Sequence, residues 1–161
     1  MLLSRAVVAL GANLGDPAAT FARALELIGR DVGKLVARSA WRRTPALVHP
    51  DDPVREHPPY LNGVVLVDTG LGPEATLAGL HAVERALGRD RAVETLPWQP
   101  RIIDLDLIAF GDETRDGSGL VLPHPRMHQR DFVLGPLAEI WPDWRHPRLG
   151  RTARELLADL A

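Results

Sequence analysis

Residues 101–110 read Arg101-Ile102-Ile103-Asp104-Leu105-Asp106-Leu107-Ile108-Ala109-Phe110. The run has the apolar, β-branched composition of a buried strand, yet it carries two aspartates, which strands usually avoid. Because side chains alternate between the faces of a strand, the sequence predicts one fully apolar face: Ile103, Leu105, Leu107 and Ala109. The other face would carry Asp104 and Asp106 together with Ile102, Ile108 and Phe110.

The two aspartates require positive charge nearby. Positions two residues apart on one face of a strand stand roughly 6.6 Å apart, and carboxylates that close on a half-buried face are costly to ionise without a partner. The sequence leaves two partners open. One is an arginine such as Arg101 in a structural ion pair. The other is one or two Mg²⁺ ions, hard cations that take carboxylate oxygens and bridge to substrate phosphates.

Composition excludes several classes of function. A chain of 161 residues, 45% hydrophobic and 25% charged, predicts a single domain over residues 1–161 with a proper core. The net charge of −2 gives no electrostatic case for nucleic acid or an anionic membrane. The absence of cysteine excludes disulfides, zinc-thiolate sites and a thiol nucleophile. No apolar stretch approaches the length of a membrane span, so we expect a cytoplasmic protein without nucleic-acid or membrane partners.

The order of predicted elements is typical of a known architecture. Strands are predicted at residues 5–10, 34–43, 60–67 and 101–110, and helices from Pro17 to about Gly29 and from Pro73 to Gly88. The order β-α-β-β-α-β predicts a ferredoxin-like α+β sandwich, a mostly antiparallel sheet with helices packed on it. A C-terminal extension would add a strand at 120–122, a helical region reaching Ile140 and a last helix that starts at the capping box Thr152–Glu155.

Two long polar loops, residues 45–59 and 89–100, interrupt this pattern. Loops of this length without structure of their own tend to be lids or binding loops. In the third strand Tyr60 and Asn62 alternate with apolar residues, as the two aspartates do in the last strand. Two strands therefore carry polar groups at matching positions, which favours a functional site.

Several weaker motifs have a structural and a functional interpretation. Residues 11–15 lack the Lys-Ser/Thr of a P-loop, which favours a tight turn with a glycine at positive φ. His124 and His128 lack the H-E-x-x-H pattern, so a histidine that donates to a phosphate is favoured over a zinc site. Glu84 lies one position off the apolar stripe of its helix, which leaves open that it faces water. Arginine forks match phosphate oxygens, and the candidates are Arg85, Arg89, Arg91 and Arg101.

Four blocks together resemble the 6-hydroxymethyl-7,8-dihydropterin pyrophosphokinase family of folate biosynthesis. The blocks are Ala9–Asp16, Tyr60–Asn62, Pro100–Leu107 and Leu122–Ile140. The resemblance implies the family's ferredoxin-like fold and transfer of the β,γ-pyrophosphoryl group of ATP to the pterin hydroxymethyl group, with release of AMP. It further implies two Mg²⁺ ions, in-line attack of the hydroxymethyl oxygen on the β-phosphorus, and a monomer whose partners are ATP and the pterin.

Carried over by position, the resemblance assigns residues to three parts of a site. Asp104 and Asp106 would hold the metal ions and, with Arg91 and Arg101, would be catalytic. The pterin slot would be built from Gly11, Thr44, Pro45, Leu47, Tyr60, Asn62, Trp98 and Phe132. The ATP side would be lined by Glu84, Arg89, Arg91, Arg101, His124 and Arg130.

One departure from the family motif motivates an alternative function. The family usually has arginine immediately before its loop tryptophan, whereas this chain has Pro97 before Trp98. The alternative is a catalytically weakened homologue that binds pterin or nucleotide. The ferredoxin-like fold also serves RNA-binding domains, but those need sheet-face aromatics and a basic surface, which this sequence lacks.

Overall fold

A five-stranded antiparallel sheet with helices packed on it organises the molecule. The computed structural model describes residues 2–46, 48–90 and 100–161. The strands are β1 (Ser4–Ala12), β2 (Lys34–Arg38), β3 (Arg42–Thr44), β4 (Tyr60–Thr69) and β5 (Asp104–Phe110). They lie in the order β2-β4-β1-β5, with β3 also paired to β4, and every pairing is antiparallel. This order confirms the predicted ferredoxin-like α+β fold.

Helices α1 (Pro17–Asp31) and α2 (Pro73–Ala86) cover one face of the sheet. The first begins as predicted, since the carboxylate of Asp16 accepts a hydrogen bond from the Ala19 N–H at 3.2 Å. Between these helices and the sheet lies a core whose largest side chains include Phe21, Ile28, Leu80 and Leu105.

The C-terminal extension covers the other face of the sheet. The layer on this face is formed by a 3-10 helix (Met127–Gln129), α3 (Asp131–Ile140) and α4 (Ala153–Asp159). A hairpin of β6 (Arg115–Asp116) and β7 (Val121–Leu122) precedes it, and Leu122 of the hairpin belongs to the first core. A second core, with Leu66, Ile108, Leu134 and Trp144 among its members, joins this layer to the sheet. The predicted capping box at Thr152 is present at the start of α4. No helix in the described ranges has both the length and the apolar composition to cross a membrane.

The single strand predicted at 34–43 is wrong, because β2 and β3 are separated at Ser39–Trp41. The Ser39 N–H donates to the Val64 carbonyl at 2.9 Å, and the Ser39 hydroxyl accepts from the Val64 N–H at 3.0 Å. The hydroxyl thus replaces a strand carbonyl. The ring of Trp41 then turns over Gly63, where any side chain would collide with it.

The alternation predicted along the aspartate strand is wrong at Ile102, which packs against the core beneath α1 and α2, and again beyond Leu107. Val8 pairs with Leu107, but the preceding residue Val7 pairs with Ala109, so β5 carries one extra residue at this point. A bulge of this kind shifts the alternation of side chains by one position. Phe110 therefore joins the core beneath α1 and α2, while Ala109 faces α3 and α4.

Two further predictions of local structure need correction. The helical region predicted to reach Ile140 is interrupted at Arg130, which has an extended backbone (φ −116°, ψ 105°) and separates the 3-10 helix from α3. The connection at 111–119 contains β6, which its turn-rich sequence did not predict.

The exposed edge of β5 is closed by the end of α2. Edge strands leave outward N–H and C=O groups that need partners. The carboxylate of Glu84 accepts from the Leu105 N–H at 2.8 Å, and Nη1 of Arg89 donates to the Ile103 carbonyl at 3.1 Å. Arg89 also donates to Glu84 at 2.9 Å. Glu84 is only 1% exposed, so it does not face water.

Replacing Gly63 by alanine should destabilise the fold, because the new methyl group would collide with the Trp41 ring. Forcing a methyl group into a packed contact typically costs about 1–3 kcal/mol, and urea denaturation would measure that loss. Gly29→Ala is the matched control: nothing lies within 4 Å of its added Cβ, and alanine favours the helix by up to about 1 kcal/mol. Equal stabilities of the two variants would contradict this packing argument.

Replacing Arg89 by leucine should lower the free energy of unfolding by about 3–5 kcal/mol, because it removes the buried positive charge that pairs with the Glu84 carboxylate. Chemical denaturation measures the change. Arg115→Leu, which breaks exposed pairs with Glu74 and Glu113, should cost less than about 1 kcal/mol. Adding Glu84→Gln to the Arg89 variant should recover part of the loss, and a further loss would count against charge pairing as the cause.

Candidate functional site

The sheet register places three predicted site residues in one row. Gly11 of β1 pairs with Asn62 of β4 on one side and with Asp104 of β5 on the other. Residues directly opposed in an antiparallel sheet project from the same face. A Cβ at Gly11 would lie 3.3 Å from Oδ1 of Asn62. The glycine therefore keeps the surface between the amide and the carboxylate open.

The amide of Asn62 is oriented by β3. Thr44 pairs with Tyr60 in the register, and Nδ2 of Asn62 donates to the Thr44 hydroxyl. Because Thr44 fixes the direction of the amide, Asn62 presents a defined donor and acceptor edge. Phe132, in the first turn of α3, is 38% exposed, and α3 packs against β4.

Both carboxylate oxygens of Asp104 accept hydrogen bonds from arginines. Oδ1 accepts from Nη1 of Arg89 at 2.8 Å, and Oδ2 accepts from Nη1 of Arg101 at 3.2 Å. The arginine partner that the sequence left open is therefore present. Asp106 lies two residues further along β5, opposite Ala9, and both aspartates are partly exposed.

The donor chemistry of this strand fits Mg²⁺. Mg²⁺ is usually bound by one or two carboxylates together with substrate phosphates rather than by a complete protein cage. Within the ranges that the structure describes, no group of three or more histidine, cysteine or acidic side chains could hold an ion by itself. Two neighbouring carboxylates on one face, next to arginines, match a metal that arrives with a phosphate ligand.

His124 lies beside this strand as a neutral hydrogen-bond donor. The backbone N–H of His124 donates to the Ile108 carbonyl at 2.7 Å, and its ring Nδ1 accepts from the backbone N–H of Arg126 at 3.2 Å. Burial lowers the pKa of His124 below its usual value, and the positive charge of Arg130 lowers it further, although Asp104 acts in the opposite direction. Because Nδ1 accepts a hydrogen bond, a neutral His124 ring carries its proton on Nε2, where it can donate.

Asn13 is a site residue that the sequence interpretation missed. Its Oδ1 accepts from the Arg101 N–H at 2.8 Å, and its own N–H donates to the Arg101 carbonyl at 3.0 Å. Its Nδ2 donates to the Pro58 carbonyl at 3.0 Å. Asn13 thereby connects Pro58, at the end of the first long polar loop, with Arg101, which follows the second. The turn that carries it is the predicted tight turn, with Gly15 at φ +65°.

A buried pair of an aspartate and a histidine lies within the loop at residues 45–59. Oδ2 of Asp52 lies 2.9 Å from Nε2 of His57, and the two side chains are 5% and 4% exposed. Oδ1 of Asp52 accepts from the Val54 N–H at 2.9 Å. The hydrogen bond from Val54 lowers the pKa of Asp52, and the one from His57 adds to the effect. The described residues of the loop, 45–46 and 48–59, contain no helix or strand, as predicted, and Asp52 with His57 anchors them from within.

A cavity of about 540 Å³ lies between this loop and β3. It is lined by Arg43, Thr44, Pro45, Ala46, Val48, Arg55, Glu56, His57 and Pro59. Leu47, Arg91 and Trp98, which the resemblance assigned to the site, lie outside the described residues, as does Pro97. Of the arginines near α2, Arg85 is exposed and Arg89 is buried.

Comparison with known proteins identifies the family. The profile of the family described as 7,8-dihydro-6-hydroxymethylpterin-pyrophosphokinase matches residues 7–142. A Methylorubrum extorquens protein named 2-amino-4-hydroxy-6-hydroxymethyldihydropteridine pyrophosphokinase is 42% identical over 159 residues, covering 98% of this chain and 94% of that protein. A Synechocystis protein of the same name is 40% identical over 153 residues, covering 94% and 74%.

Solved structures agree on the fold. A crystal structure of Plasmodium falciparum HPPK-DHPS matches 98% of this chain with a TM-score of 0.75 at 16% sequence identity. This chain spans 44% of that longer chain, and at this identity the likeness concerns the ferredoxin-like fold alone. With the family profile and the relatives at about 40% identity, the chain belongs to the 7,8-dihydro-6-hydroxymethylpterin-pyrophosphokinase family.

Proposed function

We propose that residues 1–161 form one pyrophosphokinase domain in which Asp104 and Asp106 hold two Mg²⁺ ions against the ATP phosphates. The chain transfers the pyrophosphoryl group of ATP to 6-hydroxymethyl-7,8-dihydropterin, the reaction of its family. The observation that supports this proposal most directly is the row of Asn62, Gly11 and Asp104 across three strands. It places the amide proposed to bind the pterin ring beside the carboxylate proposed to bind metal and phosphate.

In this reaction the hydroxymethyl oxygen attacks the β-phosphorus, and the bond from that phosphorus to the oxygen bridging to the α-phosphorus breaks. AMP leaves with that oxygen, and the hydroxyl proton is released. Bound Mg²⁺ would supply charge neutralisation on the phosphates and acidify the attacking hydroxyl. The protein's contribution to such a transfer is mainly positioning and electrostatic stabilisation, which agrees with the lack of an evident general base among the site residues that the structure describes.

For the pterin, we propose a slot between β3, β4 and the start of α3. The amide of Asn62, oriented by Thr44, would hydrogen-bond the ring edge, and the exposed face of Phe132 would stack on the ring. Gly11 leaves the space that the ring needs. The remaining proposed members of the slot are Pro45, Leu47, Tyr60 and Trp98.

For ATP, we propose that Arg101, His124 and Arg130 contact the phosphates, together with Arg91. His124 fits because it is a neutral donor close to Asp104. Glu84 and Arg89 are 1% and 6% exposed. Their burial favours a supporting role behind Asp104 over direct contact with nucleotide.

We also propose that the protein acts as a cytoplasmic monomer. Described candidate groups for the pterin and for the metal lie on neighbouring strands of one sheet. The catalytically weakened alternative, suggested by Pro97, is decided by an assay for AMP release from ATP and the pterin. Absence of AMP with both substrates bound would favour the alternative.

Asp106→Asn should lower kcat by at least about 100-fold, because losing one metal-binding carboxylate removes several kcal/mol of charge stabilisation. AMP release measures the rate, and thermal denaturation checks that the fold is retained. Asp116→Asn, at an exposed acidic residue paired with Arg148, is the control and should keep full activity. If the Asp106 variant keeps a third or more of the wild-type rate, the proposed metal role is wrong.

Asp52→Ala should raise the KM for the pterin by roughly three- to tenfold, because the loop loses its hydrogen-bonded anchor, while the KM for ATP stays nearly constant. Steady-state kinetics with each substrate varied would show the difference. The neighbouring Asp51→Ala, with a side chain 81% exposed, is the matched control.

The same anchor should depend on pH in one direction. Because the pKa of Asp52 is lowered in the folded chain, its stabilisation is present above the ordinary value near 3.8 and is lost as the pH falls through the lowered pKa. Proteolysis of the loop should therefore accelerate only in acid.

A pterin KM in Asp52→Ala equal to that of Asp51→Ala would contradict the anchoring role.

A further inference from the structure

Glu139, near the end of α3, contacts the corner between β2 and β3. We infer that Glu139 is a positioning residue for pterin binding: its hydrogen bond to the backbone of that corner holds β3 at a fixed distance from α3. It thereby sets the width of the pterin slot. This inference rests on the slot proposed above between β3, β4 and the start of α3. It adds a residue outside the slot that controls how well the slot fits the ring.

The carboxylate of Glu139 uses both of its oxygens on the corner. Oε2 accepts from the Ala40 backbone N–H at 2.8 Å, and Oε1 accepts from Nη2 of Arg42 at 3.3 Å. Ala40 lies in the interruption between β2 and β3, so Glu139 supplies an acceptor that a neighbouring strand would otherwise provide. The Ala40 carbonyl accepts from the Ser39 hydroxyl at 2.9 Å. Side chains therefore bind both backbone polar groups of Ala40, and the one that comes from α3 is Glu139.

The side chain of Arg42 extends this contact along α3. Arg42 pairs with Asn62 in the register, and opposed residues of an antiparallel sheet project from the same face. Its guanidinium lies against α3 at Gly135, where an added Cβ would be 2.5 Å from Nη1. Arg42 therefore spans from the row that contains Asn62 to the helix that carries Glu139.

The short strand β3 transmits the position of the corner to the slot. It comprises only Arg42–Thr44, and in the part of the chain that the structure describes it pairs with β4 alone. Thr44, at its end, accepts the hydrogen bond that orients the Asn62 amide. Positions two residues apart along a strand are roughly 6.6 Å apart, so little chain separates the corner from Thr44. The direction of the amide thus depends on where the corner is held.

The opposite wall of the slot belongs to the helix that carries Glu139. Phe132 and Glu139 both lie in α3, seven residues apart, which is two helical turns or roughly 10.5 Å along the axis. Residues at this spacing lie on nearly the same side of a helix. Glu139 therefore connects the helix of one wall to the strand of the other. The distance between the Phe132 ring and the Asn62 amide follows from this connection.

The contact is too exposed to matter much for stability. The side chains of Arg42 and Glu139 are 49% and 36% exposed, and ion pairs at such exposure contribute little to folding. Glu139→Ala should therefore lower Tm by no more than about 4 °C. A loss of pterin affinity in this variant would then arise from the geometry of the slot rather than from unfolding.

The test is a calorimetric titration of 6-hydroxymethyl-7,8-dihydropterin into the protein with Mg²⁺ and a non-hydrolysable ATP analogue. Glu139→Ala should weaken pterin binding roughly three- to tenfold, because the slot loses its fixed width. Steady-state kinetics should show kcat and the KM for ATP changed by less than about twofold. Asp143→Ala, at an exposed acidic residue paired with Arg154, is the matched control and should leave all of these values unchanged.

Two further variants test whether the backbone bond and the slot width are the cause. Glu139→Gln keeps an oxygen for the Ala40 N–H and should restore the affinity to within about twofold of the wild type. In a Phe132→Ala background one wall has lost its ring, so adding Glu139→Ala should weaken binding by less than about twofold further. A glutamine variant as weak as the alanine variant, or losses that multiply fully, would overturn the inference.

The outcomes also separate the positioning role from the slot on which it rests. If Phe132→Ala binds the pterin as well as the wild type does, the proposed slot is wrong. If Phe132→Ala weakens binding but Glu139→Ala does not, the slot stands and the positioning role is wrong. Should the alanine variant fail to fold, Glu139→Asp replaces it, because the shorter side chain withdraws the carboxylate from Ala40. The same loss is expected, and full pterin affinity of the aspartate variant would overturn the inference.

Discussion

The buried ion pair between Glu84 and Arg89 is the interaction on which the candidate site depends. It closes the edge of the aspartate strand, since Glu84 binds the Leu105 N–H and Arg89 binds the Ile103 carbonyl. It also delivers one positive charge to Asp104 from the side of the core. The helix that carries Glu84 thus positions the strand and the carboxylate together.

Local patterns in the sequence predicted most of the fold. Period-two and helical spacings located the three long strands β1, β4 and β5 and both sheet-packed helices, because those signals depend only on neighbouring residues. The errors occurred where distant contacts decide. The break at Ser39 depends on a hydroxyl that bonds to Val64, and the shift after Leu107 depends on an extra residue opposite β1. Glu84 was left open as a water-facing residue because its partners, Arg89 and Leu105, belong to other elements.

The candidate site was predicted by resemblance and by one geometric argument. Polar residues at matching positions of two strands indicated a shared site, and the register confirms that Asn62 and Asp104 flank Gly11. The hydrogen bonds of Asn13 could not be predicted, since its partners Pro58 and Arg101 lie 45 and 88 positions away in the sequence. The pair of Asp52 and His57 was missed because nothing in a polar, proline-rich loop distinguishes a buried charge from a solvated one.

The C-terminal layer has a consequence for the architecture as a whole. In a two-layer sandwich the second face of the sheet meets solvent and is polar, whereas here Val7, Val64 and Leu66 of that face are covered by α3 and α4. The sheet therefore depends on the C-terminal layer to keep this apolar face away from water. A chain truncated before Met127 would expose the apolar residues of this face to water. Because large exposed apolar patches drive association between molecules, we expect such a chain to self-associate.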